Sequence, residues 1–290
     1  MNISIQPSSN VLGARVEGIS LADSPSSQSV SEIEQALEQY GVLIFPNQII
    51  TPAQQIAFSR AFASLELTEL KTARLEGFEE IFVVGNTGKG LVTFSPKDDE
   101  TELEWHTDHI HRKVAARASL LYALEVPKIG GDTLFACMYH AYDQLDPDLQ
   151  KQCDELTALH SAQGLELFLK RQLLDGSAGS RVGRQFDCIE RPLVKQHPLT
   201  GRRALYFGNQ VTIGIKGWPE DMALEFIAKL TEHACQSDFR YRHQWQDHDA
   251  VLWDNRRVLH AGTPYDVINS RRHLHRTTWR ENEQDLMDLT

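Results

Sequence analysis

Eight short runs of β-branched and aromatic residues between positions 81 and 279 constrain this chain more than any other feature. They lie at 81–84, 118–126, 133–137, 193–196, 204–207, 239–245, 250–253 and 272–279, and runs of this kind between turn-forming residues read as strands. Helical signals are fewer. Ser31 with Glu34 forms a capping-box pattern ahead of Ile33, Ala36, Leu37 and Tyr40, after a polar run over 24–29 that reads as a loop. Thr51-Pro52 with Gln54 starts a second helix, and a further strand at 42–45 lies between the two. Asp146-Pro147 opens a third, and Met222, Leu224, Phe226, Ile227 and Leu230 give near-helical spacing over 219–235. Many short strands under a few helices predict a mainly β chain with flanking helices, of jelly-roll barrel type. The runs do not say which strand pairs with which.

A chain of 290 residues is long enough for one large core, so a single domain over 1–290 is expected. The net charge of −11 argues against nonspecific binding to nucleic acid or to an anionic membrane, both of which need clustered Lys and Arg. The first residues lack the basic start and apolar core of a signal peptide, and no stretch approaches the roughly 18 apolar residues of a membrane span. A soluble cytoplasmic protein is the expectation. Cys137, Cys153, Cys188 and Cys235 are widely spaced, which predicts buried free thiols rather than a zinc site or disulfide framework.

Chemistry concentrates at Trp105-His106-Thr107-Asp108 and, more than half the chain later, at Trp253-Asp254-Asn255-Arg256-Arg257-Val258-Leu259-His260. On an extended segment His106 and Asp108 project to the same face. His260 is expected just beyond the strand at 250–253, after the turn-forming Asp254-Asn255 pair, at a rim. Two histidines and a carboxylate on one side of an ion leave adjacent positions open, the arrangement that suits a non-haem Fe(II) oxygenase. His109 and His111 extend His106 into a histidine cluster, which makes zinc the rival metal.

Four blocks occur in order: Gly41-Val42-Leu43-Ile44-Phe45-Pro46, Trp105 to Asp108, Gly130-Gly131-Asp132-Thr133, and Arg271-Arg272-His273-Leu274-His275-Arg276. With them the chain resembles the taurine and aryloxyacetate dioxygenase family, Fe(II)- and 2-oxoglutarate-dependent oxygenases built on a double-stranded β-helix, a cupin-like jelly-roll barrel. The resemblance implies His106, Asp108 and His260 as metal ligands and catalytic residues. It implies Thr133 and Arg272 at the far carboxylate of 2-oxoglutarate, a task to which a planar guanidinium fork is suited. Arg276 matches the family arginine directed at an anionic group of the substrate. On a strand from Arg272, the side chains of Arg272, Leu274 and Arg276 share one face and those of His273, His275 and Thr277 the other. Arg271 competes with Arg272 through a register slip of one residue. Without the metal motif, a basic final strand would read as a solvated edge.

The implied reaction consumes O₂, converts 2-oxoglutarate to succinate and CO₂, and hydroxylates a substrate C–H; the carboxylate of Asp108 favours hydroxylation over halogenation. Segments 253–266 and 117–121 are similar to the aryloxyacetate branch, and 65–70 lacks the histidine of the taurine branch. A small organic acid is therefore expected, with ether cleavage of an aryloxyacetate-like substrate as the sharpest form. The resemblance points to pocket segments 68–71, 102–104 and 208–215, with Lys71 as a second positive charge and Val211 where the taurine branch carries an aromatic residue. It also implies homo-oligomers. Two other readings stay open: a hydroxylase or desaturase of an amino acid or secondary metabolite, and a cupin-like small-molecule or metal-binding protein without turnover.

Overall fold

The computed structural model of the protein describes residues 3–67, 71–87, 104–164 and 187–281. In chain order its strands are β1 (Ser4–Pro7), β2 (Ala14–Glu17), β3 (Val42–Phe45), β4 (Arg74–Leu75), β5 (Phe78–Gly85), β6 (Ala116–Glu125), β7 (Thr133–Cys137) and β8 (Thr157–Ser161). There follow β9 (Cys188–Pro192), β10 (Val194–Gln196), β11 (Arg203–Leu205), β12 (Thr212–Ile215), β13 (Arg240–His243), β14 (Ala250–Asp254), β15 (Val258–Gly262) and β16 (His273–Arg280). The helices are α1 (Ser27–Tyr40), α2 (Pro52–Arg60), α3 (Met138–Asp143), α4 (Pro147–Asp154) and α5 (Glu220–Ala234).

Two sheets make the frame. The larger has the order β1-β2-β3-β14-β6-β16-β5-β4, and a three-stranded sheet has the order β13-β7-β15. In the large sheet only the β2–β3 pair is parallel. Residue alternation sorts its two faces. Ala118, Leu120 and Tyr122 of β6, with Ala250 and Leu252 of β14, pack under Ile33, Ala36 and Leu37 of α1 and Phe58 of α2. Leu121 and Ala123, with Val251, Trp253 and Leu274, turn the other way and join Leu134, Phe135, Val258 and Leu259 of the small sheet. Because both faces are covered, β6 and β14 read as near-continuous apolar runs. The described strands form separate sheets rather than one closed cylinder.

Two expectations change, the start of the first helix and the burial of the cysteines. Ser26, one turn upstream of Ser31, caps α1, its hydroxyl accepting from the Ser29 amide at 3.1 Å, so residues 27–29 are helical rather than loop. The second cap is as expected: Thr51 Oγ1 accepts from the Gln54 amide at 3.3 Å, and Gln54 Oε1 from the Thr51 amide at 2.8 Å, an exchange typically worth about 1 kcal/mol. The basic final strand is interior, since β16 lies between β6 and β5. Among the cysteines, Cys137 and Cys153 are buried, but Cys235 is half-buried and Cys188 is exposed on β9, whose outer positions face solvent. No helix among the described residues is long and apolar enough to cross a membrane.

Candidate active site

The small sheet carries the first half of the site. His260 sits in the middle of β15, not beyond a strand end, because the turn at Asp254 to Arg257 is tight enough for the chain to re-enter pairing at Val258. Its backbone then forms a second partnership. His106 and His260 exchange both backbone hydrogen bonds, at 3.0 and 2.8 Å, which sets their rings 4.1 Å apart. After His106 the chain turns, so Asp108 reaches the same point from a turn rather than from an extended strand. Ligand atoms of His106, Asp108 and His260 all lie within 4.8 Å of one another. His109 and His111 stay out of that set: His109 takes a left-handed backbone (φ 54°) that carries the turn away. Arg191 of β9 holds the turn through Nε to the Ile110 carbonyl at 2.8 Å and Nη2 to that of Arg112 at 2.5 Å.

Electrostatics prepare this group for a cation. Burial pushes the Asp108 carboxyl up, but the adjoining Arg276 guanidinium, the largest opposing influence, helps hold the group well below the usual carboxylate range. Burial lowers His106 and His260, with Asp108 opposing in part. Near neutral pH the set is thus two neutral imidazoles and one carboxylate, the protonation state a metal requires. His106 Nδ1 lies 2.9 Å from the Glu104 carbonyl, an orienting contact, while His260 Nδ1 is buried without a hydrogen-bond partner. That orphan nitrogen and the convergent donors fit a bound ion.

The large sheet supplies the rest. Asp108 Oδ2 accepts from Ser119 Oγ of β6 at 2.6 Å, and Oδ1 from Arg276 Nη1 of β16 at 2.5 Å. Arg276 packs over the Phe82 ring at 4.9 Å, and its Nε is buried without a partner. The expected substrate arginine therefore stands on the expected metal carboxylate.

Arg272 and Arg271 separate cleanly. Arg271 is exposed and pairs with Glu125 at 3.2 Å. Arg272 is 8% exposed, its Nε donates to the Gly131 carbonyl at 3.1 Å, and among the described residues no carboxylate pairs with it. Burial lowers it to about 10 against the pull of Tyr265 and Asp132. A buried guanidinium that no carboxylate contacts among the described residues is costly, and this one fits an incoming carboxylate. Gly130 and Gly131 build the approach: both have positive φ, and a Cβ on Gly130 would stand 2.2 Å from the Pro264 carbonyl oxygen. Thr133 is buried at the start of β7, opposite Gly262 and two residues from the position opposite His260; its Oγ1 accepts from Trp245 Nε1 at 3.0 Å.

Of the remaining expected positions, Lys71 is exposed on a short 3-10 turn before β4. Val211 is buried against Ile110 and Tyr206, beside the turn after Asp108. Gly208 of the same segment lets the chain pass close to the ligands, since a Cβ there would stand 3.2 Å from His106 Cα and from the Thr107 amide nitrogen. Residues 68–70 and 102–103, expected to line the pocket, lie outside the described residues. Two residues without an assigned role enter the site: Ser119, and Asn255, which contacts Ser119, Trp253 and the Thr107–Asp108 peptide. A single serine inside the apolar run 118–123 was the available signal for Ser119.

Residues 4–278 match the family described as taurine catabolism dioxygenase TauD, TfdA family. The chain belongs to this family. It is 35% identical to an alpha-ketoglutarate-dependent 2,4-dichlorophenoxyacetate dioxygenase of Cupriavidus pinatubonensis, over 96% of this chain and 98% of that protein. It is 34% identical to an (S)-phenoxypropionate/alpha-ketoglutarate-dioxygenase of Sphingobium herbicidovorans, over 92% and 91% respectively. Among solved structures, AAD-2 in complex with Mn(II) and N-oxalylglycine superposes with a TM-score of 0.81 at 30% identity, covering 97% of this chain and 98% of that one. The chain is thus an enzyme of the dioxygenase class with a mainly β fold.

Proposed function

We propose that this family member is an Fe(II)- and 2-oxoglutarate-dependent dioxygenase that hydroxylates a small, anionic organic acid. In its sharpest form the substrate is an aryloxyalkanoate: a hydroxyl placed on the carbon beside the ether oxygen gives a hemiacetal, which collapses and breaks the ether. The observation that carries this reading is the convergence of two neutral histidines and one carboxylate, together with a buried Arg272 that pairs with no carboxylate among the described residues. The two relatives described above, a 2,4-dichlorophenoxyacetate dioxygenase and an (S)-phenoxypropionate dioxygenase, support the substrate class.

In this reading His106, Asp108 and His260 hold iron. Arg272, with Thr133, receives the far carboxylate of 2-oxoglutarate. Bound iron, 2-oxoglutarate and O₂ supply the oxidising power, releasing succinate and CO₂. The chain's own share is positioning: Arg276, supported on Phe82, offers a guanidinium to the substrate's acid group, and Val211 bounds the space beside the Asp108 turn. Lys71 is a second cation for that acid. The two facing sheets are read as a double-stranded β-helix, with residues 1–290 as one domain.

Titration of Mn(II)-loaded protein with 2-oxoglutarate in the absence of O₂ tests the assignment. Binding is expected to require the metal and to be lost in Asp108→Ala. Tight binding by metal-free protein would overturn the ligand assignment.

A further inference from the structure

Asp108 is held by two donors of different kinds. Arg276 reaches it with a long side chain from β16, whereas Ser119 is completely buried in the middle of β6. The direction of the Ser119 proton follows from its neighbours. Trp253 Nε1 can only donate, and it meets Asn255 Oδ1 at 2.9 Å. The Asp108 amide faces the same oxygen at 3.3 Å. Those two donors fix the Asn255 amide, so its Nδ2 donates to Ser119 Oγ at 3.0 Å. Turning the amide over would set its NH₂ against both donors. Ser119 is left with one proton, and its remaining partner is Asp108 Oδ2 at 2.6 Å.

The backbone of Asn255 ties the same parts together. Its carbonyl accepts from Thr107 Oγ1 at 2.6 Å, between His106 and Asp108, and its amide donates to the Arg117 carbonyl of β6 at 2.9 Å. Trp253, in turn, packs against the His260 ring with centroids 4.7 Å apart. All three relay residues are buried.

We propose that Trp253, Asn255 and Ser119 form a positioning relay that fixes the rotation of the Asp108 carboxylate, keeping it aimed at the metal while Arg276 turns from it to the substrate. The proposal rests on the metal reading above. Without the relay, Asp108 would be oriented by Arg276 alone, and each substrate that drew Arg276 away would loosen the metal.

The test is Mn(II) binding by the full-length, metal-free protein, followed through the electron paramagnetic resonance of free Mn(II). Ser119→Ala is expected to weaken Mn(II) by about 10- to 100-fold, the usual effect of removing an outer-shell partner. Arg276→Gln should weaken it far less. One readout separates positioning from general damage: the affinity of Mn(II)-saturated Ser119→Ala for 2-oxoglutarate should match the parent, even though the metal-free thermal midpoint falls because the buried Asn255 amide and the Asp108 carboxylate each lose a partner. Ser119→Thr, which keeps the hydroxyl, should restore the bound Mn(II) spectrum. If Ser119→Ala does not fold, Trp253→Phe removes the N–H while keeping an aromatic ring between Phe135 and His260, and the same loss is expected. Parent-like Mn(II) affinity in either folded variant overturns the relay alone; a parent that binds no Mn(II) overturns the metal reading, and the relay with it.

Discussion

Arg276 Nη1 stands 2.5 Å from Asp108 Oδ1, joining the side chain proposed for the substrate to one proposed for the metal. The pair is mostly buried, and under the proposed function an incoming acid would exchange one carboxylate for another at the same guanidinium. Arg276→Ala should therefore raise the concentration of acid substrate needed for half-maximal rate by at least about 30-fold, from a loss of about 2 to 5 kcal/mol. The 2-oxoglutarate requirement should move much less. Steady-state titration of both compounds checks this, and the reverse order would exchange the roles of Arg272 and Arg276.

Arg272→Ala should weaken 2-oxoglutarate by a similar factor, because a buried charge-assisted partner is lost. Arg271→Ala should leave it unchanged, since Arg271 is exposed and bonded to Glu125. Calorimetric titration of the Mn(II)-loaded variants distinguishes them. A loss in Arg271→Ala would restore the slipped register.

Gly130→Ala meets two obstacles: φ of 73° and a Cβ position 2.2 Å from the Pro264 oxygen. A cost of about 2 kcal/mol or more is expected, visible as a lower thermal midpoint. Weaker 2-oxoglutarate binding should accompany it, because the Gly131 carbonyl that positions Arg272 belongs to the same turn. Gly77→Ala is the control. It shares a positive φ of 80° but meets nothing within 4 Å, so its midpoint should fall less and its 2-oxoglutarate affinity should hold.

Acid should destabilise the metal-free protein through buried histidines. Burial, assisted by the Arg191 charge, pushes His160 down to about 3; burial and His273 push His275 down to about 4. Unfolded, both would titrate at their ordinary value of 6.5, so between these limits the unfolded chain binds more protons. Their stabilisation is complete above pH 6.5 and is lost as pH falls toward 4 and then 3. His160 alone should cost about 2 kcal/mol at pH 5 relative to pH 7.5. Urea midpoints at the two pH values test this, with a shallower dependence expected for His160→Gln and a flat parent profile as the contrary result.

Much of this was legible in the sequence, and the exceptions have physical causes. Strands β6, β7, β14 and β16 follow runs whose composition suits a buried sheet, and Thr51-Pro52 announces α2 through its cap. Strand β15 was hidden because Asp254-Asn255 signals a turn while Arg256-Arg257 interrupts the apolar pattern; those arginines are buried instead, Arg256 on Asp254 at 2.7 Å and Arg257 against the Tyr139 ring at 4.3 Å. The His106–Asp108–His260 set could be proposed from motif order, but the Arg276–Asp108 and Ser119–Asp108 contacts depend on sheet register. Burial decides between Arg271 and Arg272, the first exposed on Glu125 and the second buried on the Gly131 carbonyl, and the β6–β16 register sets Arg276 opposite Leu121.

The central claim is tested most directly by measuring succinate released from 2-oxoglutarate by the Fe(II)-loaded protein, with and without phenoxyalkanoic acids, alongside the phenol that ether cleavage would free. Succinate stimulated by the acid, with phenol in matching amount and neither in His106→Ala, is the expected result. Succinate formation indifferent to every acid offered, or undiminished in His106→Ala, would contradict it.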